Sequence, residues 1–167
     1  NLTYKNIKPP KFLKYKKKFK FLKIDAGNSK IQKIISKFDF IIYLAGLVGD
    51  PITKKYPKLS IINNENVIKK FVNFCLKLNK NLDFIFVSTC SNYGLRSKKH
   101  RAKETSELNP LSSYAISKVK IEKYLLSIKK KTFRPIILRF STAFGLSPRM
   151  RFDLTVNEFV KDLFLYK

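Results

Sequence analysis

The sequence predicts an α/β domain with a parallel sheet, on three observations. Short, nearly continuous apolar runs (Phe38–Ala45, Phe84–Val87 and Pro135–Phe140) suit strands buried on both faces. Stretches with apolar residues at helical spacing separate them, which implies crossover connections. Polar and glycine-bearing turns follow the runs, on the side where open α/β sheets bind ligands. The length of 167 residues suits one domain, and a hydrophobic content of 44% excludes a disordered chain.

Each element has its own signal. Phe19–Ala26 (FKFLKIDA) reads as the first strand, with Asp25 and Ala26 at its exit before Gly27. A short helix is expected over Lys30–Lys37. Phe38–Ala45 is the second strand, broken by Gly46, Gly49 and Pro51. From about Ser60 to Leu78, Val67, Phe71, Phe74 and Leu78 recur at helical spacing. Phe84–Val87 is the third strand, followed by the polar turn Ser88–Asn92 and Gly94, then by a charged loop over Leu95–Leu108. Ser112 or Ser113 caps a helix running to about Ser127. Pro135–Phe140 is the fourth strand, closed by Gly145 and Pro148, and Asp153–Tyr166 is amphipathic.

Net charge is +25, from 36 Lys and Arg against 11 Asp and Glu. The excess is mostly lysine, spread along the chain with abundant Ile, Asn and Phe, a pattern that A/T-rich codons also produce. The densest run, Lys14–Lys20, suits nonspecific phosphate contact, and a nucleic-acid function is not expected. The same charge favours an anionic nucleotide ligand. No apolar run reaches the ~18 residues of a membrane span, so no membrane partner is expected. Cys75 and Cys90 lack metal-ligand spacing and read as reduced thiols of a cytoplasmic protein, Cys75 in the core. His100, in a basic loop, reads as solvated.

The sharpest chemical signal is Tyr114 and Lys118 in SSYAISK. Four residues apart on a helix, they share a face, and the ammonium is expected to draw the phenol pKa from about 10 toward neutrality. Four ordered strings accompany the pair: LAG at Leu44–Gly46, VSTCSNYG at Val87–Gly94, NPLSSYAISK at Asn109–Lys118 and LRFSTAFGLSPR at Leu138–Arg149. In these the chain resembles the extended short-chain dehydrogenase/reductases, the NAD-dependent epimerase/dehydratase group acting on nucleotide sugars.

The resemblance implies a Rossmann-like, doubly wound parallel sheet, with NAD rather than NADP as cofactor and a nucleotide sugar as substrate. It makes Thr89, Tyr114 and Lys118 the catalytic set, with Thr89 binding the reacting sugar hydroxyl, Tyr114 as acid/base, and Lys118 lowering its pKa and binding the nicotinamide ribose, so that Tyr114 and Lys118 are cofactor contacts as well. Asp25 and Ala26 then contact adenine, Leu44, Ala45 and Gly46 run along the cofactor, Asn64 touches it, and Thr142 faces the substrate. Asn1 falls next to the acidic ribose ligand. The resemblance also implies a homodimer for the full-length protein.

No glycine-rich phosphate turn occurs in these residues, so the chain reads as a fragment. It is expected to lack the first β-α-β unit and most of the C-terminal substrate domain. Residues 1–150 would form a partial NAD-binding domain and 151–167 the start of the substrate-binding region, inactive alone and leaving an unpaired sheet edge. Cys90 and Ser91 stand where dehydratases of the group carry an acid pair, which favours a 4-epimerase over a dehydratase. A nucleotide-sugar reductase or dehydratase relative is the alternative within the group. A non-catalytic, RNA-associated protein of the same fold is the alternative outside it.

Overall fold

The computed structural model describes residues 20–96, 101–147 and 150–166. The elements follow in the order α1 (Ile31–Ile35), β1 (Phe40–Tyr43), α2 (Asp50–Lys55), α3 (Pro57–Ile61), α4 (Val67–Leu76), β2 (Leu82–Thr89), α5 (Ser113–Leu126), β3 (Phe133–Phe140) and α6 (Thr155–Leu165). A single π-helical turn, Ile62–Asn66, joins α3 to α4, and a 3₁₀ turn, Cys90–Tyr93, leaves β2.

The strands form one parallel sheet in the order β1-β2-β3, with Tyr43 beside Phe86 and Phe86 beside Ile137. Parallel pairing follows from the crossovers, since α2–α4 carry the chain back between β1 and β2 and α5 does so between β2 and β3. On one face the alternate residues Leu82, Phe84 and Phe86 are buried against Ile68, Phe71, Val72 and Cys75 of α4 and Ile121 and Leu125 of α5. Tyr43, Phe71, Phe84 and Phe133 interlock there in tilted ring pairs with centroids 5.2–6.2 Å apart. Cys75 sits in this core, and burial pushes its thiol pKa up to about 12.

The opposite face differs from expectation. Phe40 (66% exposed), Ile42 (62%), Ile136, Leu138 and Phe140 are left partly open to solvent. The strands are therefore not buried on both faces; their apolar runs alternate between a packed and an open side. The outer edge of β1 likewise has no strand beside it among the described residues.

The expected first strand is also absent. Residues 20–25 are irregular, and Ile24 N bonds Leu22 O at 3.1 Å instead of a neighbouring strand. A strand persists only with a partner for its backbone, and none is described there. Conversely, Asp50-Pro51, which reads as a strand breaker, starts α2. Gly49 (φ +95°) turns the chain, proline fills the first helical turn, and the acidic residue complements the helix dipole. The helix α5 is capped as anticipated, Ser112 Oγ accepting from Ala115 N at 3.2 Å. Among the described residues no helix is long and apolar enough to cross a membrane, and no cluster has the makings of a metal site.

Candidate active site

Because the sheet is parallel, every strand exit lies at one end of the molecule. The exits of β1, β2 and β3 and the start of α6 enclose a cleft of about 560 Å³ whose walls include Asp50, Thr89, Cys90, Tyr114, Thr142 and Arg151. A second cleft, about 530 Å³, adjoins it over Leu44, Gly46, Val48 and Ile52, and the two share Val48 and Arg151. Thr89, Tyr114 and Thr142, far apart in sequence, thus meet in one cavity.

Thr89 ends β2 and enters the 3₁₀ turn. Its Oγ1 accepts from Ser91 N and donates to Ser91 Oγ, each at 3.2 Å. The turn closes at Gly94 (φ +65°), where a Cβ would come within 2.0 Å of the Asn109 carbonyl oxygen. Only glycine permits that approach, which brings the chain leading into α5 against the turn.

Tyr114 and Lys118 lie on successive turns of α5. The Lys118 ammonium is buried, donates to the Val87 carbonyl at 2.8 Å, and sits 4.6 Å from the centre of the Phe86 ring and 5.7 Å from that of Tyr114. Burial lowers its pKa to about 8, against a restoring pull from Glu122.

Tyr114 departs from expectation. Its pKa lies above, not below, the ordinary phenol value, first because of burial and then because of the Asp50 carboxylate. Of its charged neighbours, Arg151 acts the other way. The reason is geometric: Lys118 is bound to the Val87 carbonyl and spreads its field over Phe86, while α2 carries a negative charge toward the phenol.

The remaining sequence candidates separate into groups. Leu44, Ala45 and Gly46 are exposed at the β1 exit, with Leu44 and Gly46 lining the second cleft. Asn64 is buried behind them in the π-helical turn. Its Oδ1 accepts from Leu47 N at 2.7 Å, and its Nδ2 donates to Leu47 O at 2.9 Å and Ser60 Oγ at 3.3 Å. Its amide therefore clamps the β1 exit loop rather than facing the clefts. Asp25 and Ala26 line neither cleft; Asp25 Oδ1 accepts from Gly27 N at 2.7 Å and shapes the turn before α1. Asn1 and His100 lie outside the described residues.

Sequence reasoning missed Glu122 and Arg139. Arg139 makes a forked ion pair with the buried Glu122, its NH2 nitrogen 2.7 Å from Oε2, and also donates to Tyr93 Oη at 3.0 Å. Its pKa is raised above the ordinary value, mainly by the bond to Glu122. The signal was one arginine inside the apolar run PIILRF and one glutamate a helical turn past Lys118.

A sequence model described as the NAD dependent epimerase/dehydratase family matches residues 3–164. The chain belongs to the NAD-dependent epimerase/dehydratase family. An uncharacterized UDP-glucose epimerase, YtcB, of Bacillus subtilis (strain 168) is 30% identical over 166 residues, 96% of this chain and 49% of that protein. Among solved structures, the UDP-glucuronic acid 4-epimerase of Bacillus cereus, in complex with UDP-glucuronic acid and NAD, superposes with a TM-score of 0.76 at 27% identity, covering 91% of this chain and 48% of that one. The UDP-Glc/GlcNAc 4-epimerase of Campylobacter jejuni gives 0.67 at 28% identity, covering 76% and 40%. The epimerase/dehydratase chain thus spans about half the length of the relatives it matches.

Proposed function

We propose that the protein is a nucleotide-sugar 4-epimerase that uses NAD and acts by transient oxidation at sugar C4. The observation that carries this is the meeting of Thr89 and Tyr114 in one cleft with the Lys118 ammonium buried beneath them. The relatives named above as UDP-sugar epimerases, two of them 4-epimerases, support a UDP-sugar as substrate.

The residues present fit NAD. Leu44 and Gly46 line the second cleft, and glycine at 46, where a Cβ would press on Asn64 Oδ1 at 2.7 Å, leaves room for the amide that fixes this strand exit for a ligand. Arg151 lines both clefts, where its guanidinium also bonds Asp153, and adds a cation to the walls an anionic dinucleotide would meet. Leu44, Ala45, Gly46 and Lys118 are the groups that would hold it. When bound, NAD supplies reversible storage of a hydride.

The chain's own residues handle the proton. Tyr114 exchanges a proton with the sugar 4-oxygen, and Thr89 hydrogen-bonds the same oxygen, with the Lys118 ammonium 5.7 Å from the centre of the Tyr114 ring. Burial and Asp50 hold Tyr114 as a phenol, ready to donate, while Arg151 favours the phenolate that must accept. Cys90 and Ser91 put a thiol and a hydroxyl at the cleft beside Thr89, where eliminating water would need a strong acid or base.

The test is to incubate the complete protein with NAD and UDP-glucose or UDP-glucuronic acid in D2O, following products by NMR. Interconversion of C4 epimers without deuterium uptake at C5 is expected. Deuterium at C5 with loss of water would replace epimerisation by dehydration, and NAD binding without any interconversion would overturn the proposal.

A further inference from the structure

Thr89 Oγ1 bonds only to Ser91 among the described residues, so its own contacts do not set where it stands relative to Tyr114. The turn that carries it does. Just before Thr89, Ser88 Oγ donates to Glu122 Oε1 at 2.5 Å. Three residues after it, Asn92 Nδ2 donates to the same oxygen at 2.8 Å and to Ser88 Oγ at 3.0 Å. Glu122 belongs to α5, about two turns beyond Tyr114, and is 1% exposed. Arg139 of β3, the register partner of Ser88, also forks onto this carboxylate and donates to Tyr93 Oη. A buried carboxylate bonded by donors from β2, the 3₁₀ turn and β3 is held in one orientation.

We infer that Ser88 and Asn92 are positioning residues for Thr89: they dock the turn after β2 onto Glu122 and so set the Thr89 hydroxyl against the phenol that the same helix carries. The inference rests on the reading of Thr89 and Tyr114 as the pair that meets the sugar 4-oxygen. Arg139 alone balances the charge of Glu122, so the donors from the turn add direction rather than neutrality. Asn92 is fully buried and its Oδ1 has no hydrogen-bond partner among the described residues, a cost that a side chain serving packing alone would not carry. One helical turn before Glu122, Lys118 Nζ donates to the Val87 carbonyl at 2.8 Å. The helix therefore grips two successive residues, Val87 and Ser88, immediately ahead of Thr89. Beyond Asn92, the close approach of Gly94 to the Asn109 carbonyl fixes the other end of the turn. Thr89 is held from both sides while it lines the cleft.

Two measurements on the complete protein test this, one of which needs no turnover. Ser88→Ala leaves Glu122 bonded to Asn92 and Arg139, so the ion pair persists. With threonine and isoleucine methyls labelled with ¹³C, and Thr89 assigned by its loss in Thr89→Val, the Thr89 methyl order parameter should fall in Ser88→Ala while that of the core residue Ile121 holds. An unmoved Thr89 methyl would overturn the inference. With NAD and UDP-glucose, Ser88→Ala should lower kcat by about 10–10²-fold at unchanged KM, since a misplaced bonding group is felt in the transition state. In a Thr89→Val background the same substitution should cost nothing further, because the hydroxyl it positions is already gone. Equal losses in both backgrounds, or no loss in either, make Ser88 purely structural and refute the positioning role. Should Ser88→Ala not fold, Asn92→Leu, which leaves Ser88 and Arg139 on Glu122, replaces it in both measurements, and loss of fold there too counts against the inference. A loosened Thr89 methyl in a complete protein that interconverts no nucleotide sugar would sink the epimerase proposal alone.

Discussion

Replacing Lys118 by methionine should make the protein more stable while disabling it. Lys118 is held at about 8 against an ordinary value of 10.5. At ~1.4 kcal/mol per pH unit, that difference means the folded state carries the charge at a cost of about 3 kcal/mol at pH 7. Methionine has similar reach and no charge, but it gives up the 2.8 Å bond to the Val87 carbonyl, worth about 1 kcal/mol. A net gain of about 2 kcal/mol follows. The sign with pH is fixed as well. Between about 8 and 10.5 the unfolded chain holds a proton that the folded chain has lost, so the native protein gains stability as pH rises through that window. The advantage of Lys118→Met is therefore full at pH 7 and shrinks above pH 8. Urea unfolding followed by far-UV circular dichroism at pH 7 and at pH 10 measures both. A variant no more stable at pH 7, or a gap that stays constant with pH, would refute the burial account of Lys118.

Three further outcomes are expected. Tyr114→Phe in the complete protein should lower the rate of epimer interconversion by about 10²–10⁴ while leaving NAD affinity, read by fluorescence titration, unchanged. Gly94→Ala forces a Cβ to within 2.0 Å of the Asn109 carbonyl oxygen at a positive φ, and should destabilise by about 3 kcal/mol or more in chemical denaturation. Ile42→Lys, on the open face of the sheet, should change stability by no more than about 0.5 kcal/mol and reduce binding of an apolar dye such as ANS.

The elements legible in the sequence were those with strong local signals and close neighbours. Strands β2 and β3 and helix α5 fall where apolar runs and the Ser112 cap place them, because α4 and α5 cover one side of the first two and the cap satisfies a backbone donor of the third. Residues 20–25 read as a strand by composition alone, and composition cannot supply a pairing partner. The helix α2 was hidden because proline and glycine read as breakers, although both residues suit a helix start. In the site, the approach of Thr89 and Thr142 follows from strand-exit logic and Tyr114 from its spacing to Lys118, whereas Asp25, read by the same strand-exit logic, lines neither cleft. What was not visible was electrostatic. The direction of the Tyr114 pKa depends on where Asp50 and the Lys118 ammonium lie, and four-residue spacing does not say which acceptor a lysine takes. Asn64 was read as a ligand contact, but the π-helical turn aims its amide at Leu47.

The all-parallel sheet governs how the chain must assemble. Every rung between β1 and β2, and between β2 and β3, joins residues separated by at least one helix and its loops, so no strand pair can form as a local hairpin. Folding therefore waits on long-range loop closure, and the slow phase leaves Phe40 and Ile42 of β1, which has no strand on its outer edge among the described residues, open to strands of other molecules. Refolding yield then depends on protein concentration even though the native core is well packed, and the vulnerable step lies before β2 has acquired both of its neighbours.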